Sequence, residues 1–192
     1  MKKYLLFFRN SFFALLTPVL FFTACSQQQG CLLNGHTMFG EYRKALLLKA
    51  DGTVVDSMEL KDGAFSFRQN DTVPSAMLVR LQLEKDDPIE RLEMPFFTEN
   101  GVVRMEIGEY IDISGTPLNN ALNQFFDLLQ QTKDALNAKE GVTVKEIKST
   151  YSTFYKQQIL FNRDNALGHY IYQAYGVNLT AEDRAEVEEA IQ

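Results

Sequence analysis

The amino-acid sequence predicts an α+β protein in which an antiparallel β-sandwich is followed by a helical segment of three to four helices. Three observations support this prediction. Apolar residues alternate with period two from about Leu32 to Ser114, which is typical of half-buried strands. Dipeptides that suit tight turns recur between the alternating segments. The apolar period becomes helical after Gly115.

The turns divide the first half of the chain into roughly seven or eight short strands, as in a β-sandwich or a small barrel. In one strand Met77, Val79 and Leu81 share a face while polar residues take the other. Asp-Gly, Asn-Gly and Gly-X dipeptides readily adopt a positive φ, which favours hairpins between twisted strands. The predicted turns are Asp51-Gly52, Asp62-Gly63, Asn100-Gly101 and Gly108-Glu109.

Four helices are predicted in the second half. Thr116 is a favourable N-cap, and Pro117 fits the first turn of a helix whose apolar stripe includes Leu122 and Phe125. Further helices are expected over about 142–161 and 165–175, with Gly176 as a stop signal. The last helix is expected to begin at Thr180, with Asp183 at the reciprocal capping position.

The N-terminal segment has the layout of a secretory signal. Lys2, Lys3 and Arg9 form a basic region, and an apolar run follows from Phe12 to Phe22. That run is shorter than the roughly 20 residues that a membrane-spanning helix needs. An uncleaved membrane anchor in which Cys25 has no role remains the alternative.

The residues Phe22-Thr23-Ala24-Cys25 resemble a bacterial lipobox. The resemblance implies that residues 1–24 are a lipoprotein signal peptide and that Cys25 is lipidated. Residues 25–31 then form the lipidated cysteine and a short polar tether. We therefore expect a protein of the cell envelope that is lipid-anchored to a membrane. The tether does not resemble that of surface-exported lipoproteins of some Gram-negative anaerobes, which carries an acidic cluster. We therefore expect the body to face the periplasm.

The charge balance indicates which partners to expect. The net charge is −6, and removal of residues 1–24 takes away three basic and no acidic residues, which brings it to −9. An acidic body lacks the basic surface that nucleic-acid binding requires. It also does not favour anionic lipid headgroups, so attachment is expected to come from the acyl chains. A protein partner in the envelope remains open.

The sequence offers little catalytic chemistry. Its two cysteines, Cys25 and Cys31, do not form the Cys-x-x-Cys pair of a thiol-disulfide oxidoreductase. Cys31 is expected to be a small buried strand residue, and with His36 it supplies too few ligands for zinc. His169 has no recognisable nucleophile motif nearby. An acidic loop lacks the ordered spacing of a calcium site and is expected to be solvated; it contains Asp86, Asp87, Glu90 and Glu93. We predict no catalytic residue, no metal site and no cofactor.

Two features suggest interactions. Phe96 and Phe97 end an apolar run in which alternation fails, so at least one ring must point to a second layer, either the helices or a partner. We predict an interaction surface at these two residues. The helical half is also rich in tyrosine, which is found on partner-facing surfaces and equally in helix layers with polar edges. These residues are Tyr151, Tyr155, Tyr170, Tyr172 and Tyr175.

The order of several short motifs resembles a known family. Val55-Asp56-Ser57 is followed by an Asp-Gly turn into a Phe-x-Phe strand at 62–67, and by Ile113-Ser114-Gly115-Thr116 with Asn119. This order resembles the uncharacterised β-sandwich domain that precedes a thioredoxin-like domain in lipoproteins of certain Gram-negative anaerobes. The segment 162–165 resembles that family's connector. The resemblance implies thiol-disulfide exchange by the later domain, but this sequence ends where that domain would begin.

We therefore predict a sandwich domain over 32–115 and a helical connector over 116–192. The leading hypothesis is a non-catalytic interaction or positioning module of a thioredoxin-like lipoprotein family. The first alternative is the N-terminal fragment of a thiol-disulfide oxidoreductase whose catalytic domain is missing. The second alternative is a domain that binds a small ligand or a peptide.

Overall fold

A computed structural model describes residues 30–70, 73–85 and 91–191. The predicted signal peptide, Cys25 and most of the acidic loop lie outside these residues. The strands are β1 (Cys31–Thr37), β2 (Lys44–Lys49), β3 (Val54–Glu59), β4 (Ala64–Gln69), β5 (Ala76–Gln82), β6 (Leu92–Phe97), β7 (Gly101–Ile107) and β8 (Ile111–Ser114). The helices are α1 (Pro117–Asn137), α2 (Val144–Phe161), α3 (Ala166–Tyr175) and α4 (Ala181–Ala190), with a 3-10 turn at Gly176–Asn178 before α4.

The strands form two four-stranded sheets, which confirms the predicted α+β fold with a sandwich followed by helices. The first sheet has the order β4-β1-β7-β8, and the second has the order β3-β2-β5-β6. Every pairing is antiparallel except that of β1 with β7, which is parallel. The prediction of antiparallel strands did not include this pair, because alternation is the same in parallel and antiparallel half-buried strands.

The predicted turns have two different roles. Asp51-Gly52 joins β2 to β3 and Gly108-Glu109 joins β7 to β8, so both close hairpins. Asp62-Gly63 instead connects β3 of the second sheet to β4 of the first, with φ angles of 51° and 78°. Asn100-Gly101 likewise carries the chain from β6 to β7 in the other sheet. These two turns therefore join the layers of the sandwich.

One hydrophobic core extends through the strands and the helices. The inward faces of the sheets contribute residues such as Leu33, Val79 and Met105, which are at most 1% exposed. Leu122 and Phe125 of α1 and Ile171 of α3 belong to the same cluster. The strands end at Ser114 and α1 begins at Pro117, so the change of secondary structure falls where the sequence places it. The hydrophobic core itself continues across that position.

The caps of three helices agree with the sequence in part. Thr180 caps α4 as predicted, and its hydroxyl accepts the backbone N–H of Asp183. Thr116 precedes α1, but its hydroxyl accepts from the Asn119 amide and not from the helix backbone. The Glu99 carboxylate accepts the free N–H of Leu118 in its place, at 2.8 Å. Gly176 does not stop the chain in a left-handed conformation, because it continues into the 3-10 turn with φ of −57°.

A polar junction holds α4 against α2. The buried Ser152 hydroxyl accepts the N–H of Thr180 at 2.8 Å and donates to the Asp183 carboxylate. The same carboxylate lies 2.7 Å from the Lys156 ammonium, which also contacts Glu186. Hydrogen bonds from Lys156 and Ser152 lower the pKa of Asp183, so this carboxylate stays ionised. Asp183 therefore joins two helices and does not close a reciprocal capping box.

Candidate interaction surface

The structure places the predicted site residues in different surroundings. Cys25 lies outside the described residues. Phe96 and Phe97 are both 0% exposed, so neither ring is available as an open surface. Phe96 lies opposite Met77 of β5, and both belong to the core. The ring of Phe97 instead contacts the ring of Tyr170 edge-on, with centroids 5.9 Å apart. The broken alternation therefore reflects packing against the helices, which was one of the two options left by the sequence.

The remaining polar candidates do not converge on a site. Cys31 is 1% exposed in β1, and burial raises the pKa of its thiol. His36 lies on the opposite face of β1, 3.5 Å from the Glu106 carboxylate. Glu93 pairs with Arg80 on the neighbouring strand. No group of three or more His, Cys, Asp or Glu side chains could hold a metal ion within the described ranges.

The two open sides of the sandwich are closed differently, and helix α1 closes one of them. We call it the helix-covered side; it is bounded by the edge strands β6 and β8. Asn119 is fully buried there, and its side chain makes the hydrogen bonds to Phe97 that a neighbouring strand would otherwise make. Its side chain accepts the Phe97 N–H at 2.9 Å and donates to the Phe97 carbonyl at 2.8 Å. A single amide thus satisfies both outward backbone groups of an edge residue.

Two more asparagines of α1 accept backbone N–H groups of β8 and of the residue that follows it. The Asn120 carbonyl accepts the N–H of Gly115 at 2.9 Å, and the Asn123 carbonyl accepts the N–H of Ile113 at 3.1 Å. The positions 119 and 123 lie one helical turn apart, so one face of α1 reaches both strand edges. Sequence analysis singled out Asn119 within a motif but did not identify this role. The available signal was a run of asparagines, Leu-Asn-Asn-Ala-Leu-Asn, where good helix formers are expected.

Beyond Asn123 the same side opens into a groove of about 580 Å³. Strands β6 and β8 border it on the sheets, and α1 and α3 form its helical wall. Its apolar lining includes Pro95, Phe126 and Leu129, which are half-buried. The volume lies within the roughly 300–1,000 Å³ of ligand-binding clefts. No local pattern in the sequence indicates this groove, because its walls lie up to 97 residues apart, at Leu78 and Tyr175.

Two tyrosines predicted as amphipathic rings contribute to this groove. Tyr170 and Tyr175 meet edge-on with ring centroids 6.4 Å apart. Burial raises the pKa of both phenols, so both hydroxyls remain neutral hydrogen-bonding groups at physiological pH. Tyr155 packs face to face on Tyr175 with centroids 4.9 Å apart, and burial raises its pKa to about 12. The tyrosines therefore form an aromatic layer on the helices, and two of them line the groove.

The groove also has an acidic rim. Glu93, Glu109 and Asp127 line it, and no lysine or arginine of the described segments does so. Glu93 is balanced by Arg80 at 2.5 Å. Glu109 and Asp127 are exposed at opposite walls, on the hairpin before β8 and on α1. The arrangement suits a ligand with apolar groups and a positive charge.

These features define an α+β sandwich whose helix α1 completes the sheet edges. Residues 32–122 match the model of a family described as a domain of unknown function, DUF4369. The match begins in β1 and ends within α1, so it includes the segment that carries Asn119 and Asn120. No curated protein matches this chain. No helix in the described part of the chain is long and apolar enough to cross a bilayer.

Proposed function

We propose that this protein is a lipid-anchored lipoprotein of the cell envelope whose folded body faces the periplasm. Its sandwich and helices form a non-catalytic module that positions or binds a protein partner. The observation that carries the proposal is the lipobox-like segment ending in Cys25, placed just before the first strand. Acyl chains contribute about 0.8 kcal/mol per buried methylene, so a multiply acylated Cys25 would hold the body on a membrane stably.

An anchor at Cys25 would lie close in sequence to one end of the sandwich. Strand β1 begins at Cys31, so only a short polar tether separates Cys25 from the first sheet. At that end of the sandwich Cys31 pairs with Gly101 of β7 and with Gln69 of β4. The opposite end contains Thr37 and Ile107. Anchoring at Cys25 would direct the first end toward the membrane and leave the second end free for a partner.

The resemblance to lipoproteins with a thioredoxin-like domain supports a positioning role. In that arrangement the module would hold a partner or a following domain at a fixed distance from the membrane. The module itself has no Cys-x-x-Cys pair for disulfide exchange. The alternative is that this chain is the front part of a thiol-disulfide oxidoreductase. The size of the native gene product decides between the two.

The test is the intact mass of the native protein, extracted from membranes before and after delipidation, together with two cysteine variants. We expect acyl chains on Cys25 as the first residue of the mature protein, and we expect Cys25→Ala to lose both acylation and membrane association. Cys31→Ala is the matched control and should remain acylated. An unmodified Cys25 in the native protein would overturn the anchor. A product larger by a domain would favour the oxidoreductase alternative.

A further inference from the structure

The groove on the helix-covered side indicates the kind of partner that the module accepts. We propose that it binds an extended peptide segment that adds to the open edge of β8 and carries apolar side chains and a lysine or arginine. The inference rests on the interaction role proposed above, and it extends that role to a specific surface. Acylation of Cys25 and peptide binding are measured separately, so either can fail alone.

The first step of the argument is the row of backbone groups along β8. In the ladder with β7, Gly108 donates to Tyr110, so Ile111, Ile113 and Gly115 direct their N–H groups away from β7. The amides of Gly115 and Ile113 are bound by Asn120 and Asn123. The amide of Ile111 has no hydrogen-bond partner among the described residues, and Ile111 lines the groove. An incoming strand would continue the row that the asparagines begin.

The second step is the contrast with β6 on the other wall. The ladder with β5 leaves Phe97, Pro95 and Glu93 directed away from β5. The outward N–H and C=O of Phe97 are already hydrogen-bonded to the Asn119 side chain, and Pro95 has no backbone N–H. A proline at this position blunts a strand edge. Strand addition is therefore favoured at β8, while Pro95 supplies an apolar surface opposite.

The third step is the chemistry of the lining. An extended peptide directs alternate side chains to the same face, and the apolar wall of Phe126, Leu129 and Pro95 would receive them. Tyr170 and Tyr175 also line the groove, and each carries a phenol that can form hydrogen bonds with a peptide. The exposed carboxylates of Glu109 and Asp127 would pair with a basic side chain. An acyl chain would use neither the strand edge nor these carboxylates.

The position of the groove agrees with this use. Ile111 pairs with Ile107, which lies at the end of the sandwich opposite to Cys31 and Gly101. Anchoring at Cys25 would therefore leave the groove in the half of the body directed away from the membrane. A peptide segment of another envelope protein would reach it without contact with lipid.

The test is selection of peptides from a displayed random library on the full chain purified in detergent. The wild-type protein is compared with Asp127→Lys and with Gln130→Trp, which places an indole at the groove wall. The matched control is Asp112→Lys, which makes the same charge change on the outward face of β8. Enriched peptides are then synthesised, and their affinities for all four proteins are measured.

We expect enriched peptides to alternate apolar residues and to contain a lysine or arginine. They should bind Asp127→Lys and Gln130→Trp at least about tenfold more weakly than the wild type, and Asp112→Lys within about twofold. Amide hydrogen exchange at Ile111 should slow on binding, because strand addition would protect that N–H. Gln130→Trp keeps the test decisive if Asp127→Lys does not fold.

Three results would overturn the inference. The first is that no peptide is enriched on the wild type over both groove variants. The second is peptide binding that leaves hydrogen exchange at Ile111 unchanged, since the strand edge would then be unused. The third is displacement of the bound peptide by palmitate at equal concentration, which would make an acyl chain the occupant.

Discussion

On both open sides of the sandwich, edge strands direct backbone N–H and C=O groups away from their sheet, and the two sides satisfy these groups differently. On the helix-covered side, amide side chains of α1 bind the outward backbone groups of β6 and β8. On the other side, the edge strands β3 and β4 approach each other, and the sulfur of Met58 accepts the N–H of Ser66 at 3.1 Å. We call this second side the strand-to-strand side.

The two sides differ in how much of their side-chain surface is buried. Strand β3 is exposed at five of its six residues, including Val54 at 49% and Val55 at 41%. The covering helix instead buries Asn119, Leu122 and Phe125 almost completely. A covered edge carries a large share of the core, whereas an exposed edge contributes little burial and must avoid pairing with other chains. Substitutions should therefore affect stability mainly on the helix-covered side.

The largest expected effect comes from the aromatic contact beneath α1. Phe125 is 1% exposed and its ring lies 5.4–5.7 Å from the rings of Phe126, Phe154 and Tyr175. Phe125→Ala should lower the free energy of unfolding by about 3–5 kcal/mol, because it leaves a cavity in the core. Val55→Ala on the strand-to-strand side should change it by less than about 0.5 kcal/mol. Urea denaturation measures both, and equal losses would contradict the contrast between the sides.

The next effect isolates hydrogen bonding at a covered edge. Asn119→Ala leaves the N–H and C=O of Phe97 buried without a partner. At about 1–2 kcal/mol for each group, we expect a loss of about 2–4 kcal/mol. Asn120→Ala is the matched control, since Asn120 is exposed and makes one bond to Gly115. Its loss should stay below about 1 kcal/mol. Similar losses for both variants would mean that burial at residue 119 has no special role.

Lowering the pH should reduce the stability of the packing between α2 and α4, because Asp183 becomes protonated. Its pKa in the folded protein is lowered by Lys156 and Ser152, so the stabilisation is present above the ordinary carboxyl pKa near 3.9. It is lost as the pH falls through the lowered pKa of the folded state. Asp183→Asn should reduce the stability at neutral pH and flatten this acid dependence, as measured by thermal unfolding from pH 7 to pH 2.5.

Asp164→Asn is the control for that experiment, because the Asp164 side chain is 91% exposed. Its unfolding should follow the wild type across the whole pH range. If Asp183→Asn also retained the wild-type acid dependence, the junction between α2 and α4 would not be the source of the effect.

The smallest effect on stability is expected at the exposed edge. The Asp56 carboxylate accepts the N–H of Ser57 at 2.7 Å, and the ladder with β2 places that N–H on the open edge of β3. Asp56→Ala should change unfolding by less than about 0.5 kcal/mol. It should increase self-association, because the edge loses a negative charge and the N–H of Ser57 becomes free to pair with another chain. Sedimentation velocity checks this; Asp51→Ala, in the turn before β3, should remain at the wild-type oligomeric state.

Much of the fold could be predicted because its signals are local. Alternation at residues such as Met77, Val79 and Leu81 depends only on the nearest neighbours along the chain, and these strands formed as expected. Thr180 needs only the next turn of its helix to act as a cap. The burial of Cys31 likewise followed from its size and its place in a strand. Residue type and short spacing are sufficient for features of this kind.

The sequence by itself determined the strands, the helices, their order and the absence of a Cys-x-x-Cys pair. The tertiary structure alone decided the parallel pairing of β1 with β7, the layer-crossing role of Asp62-Gly63 and Asn100-Gly101, and the burial of both Phe96 and Phe97. It also decided that the side-chain amide of Asn119 hydrogen-bonds to the backbone of Phe97, 22 residues away, and that a groove opens beside Ile111. The physical reason is that local periodicity shows which face of a segment is apolar. The partner of that face, or of a backbone group at a sheet edge, is set only when distant segments pack together.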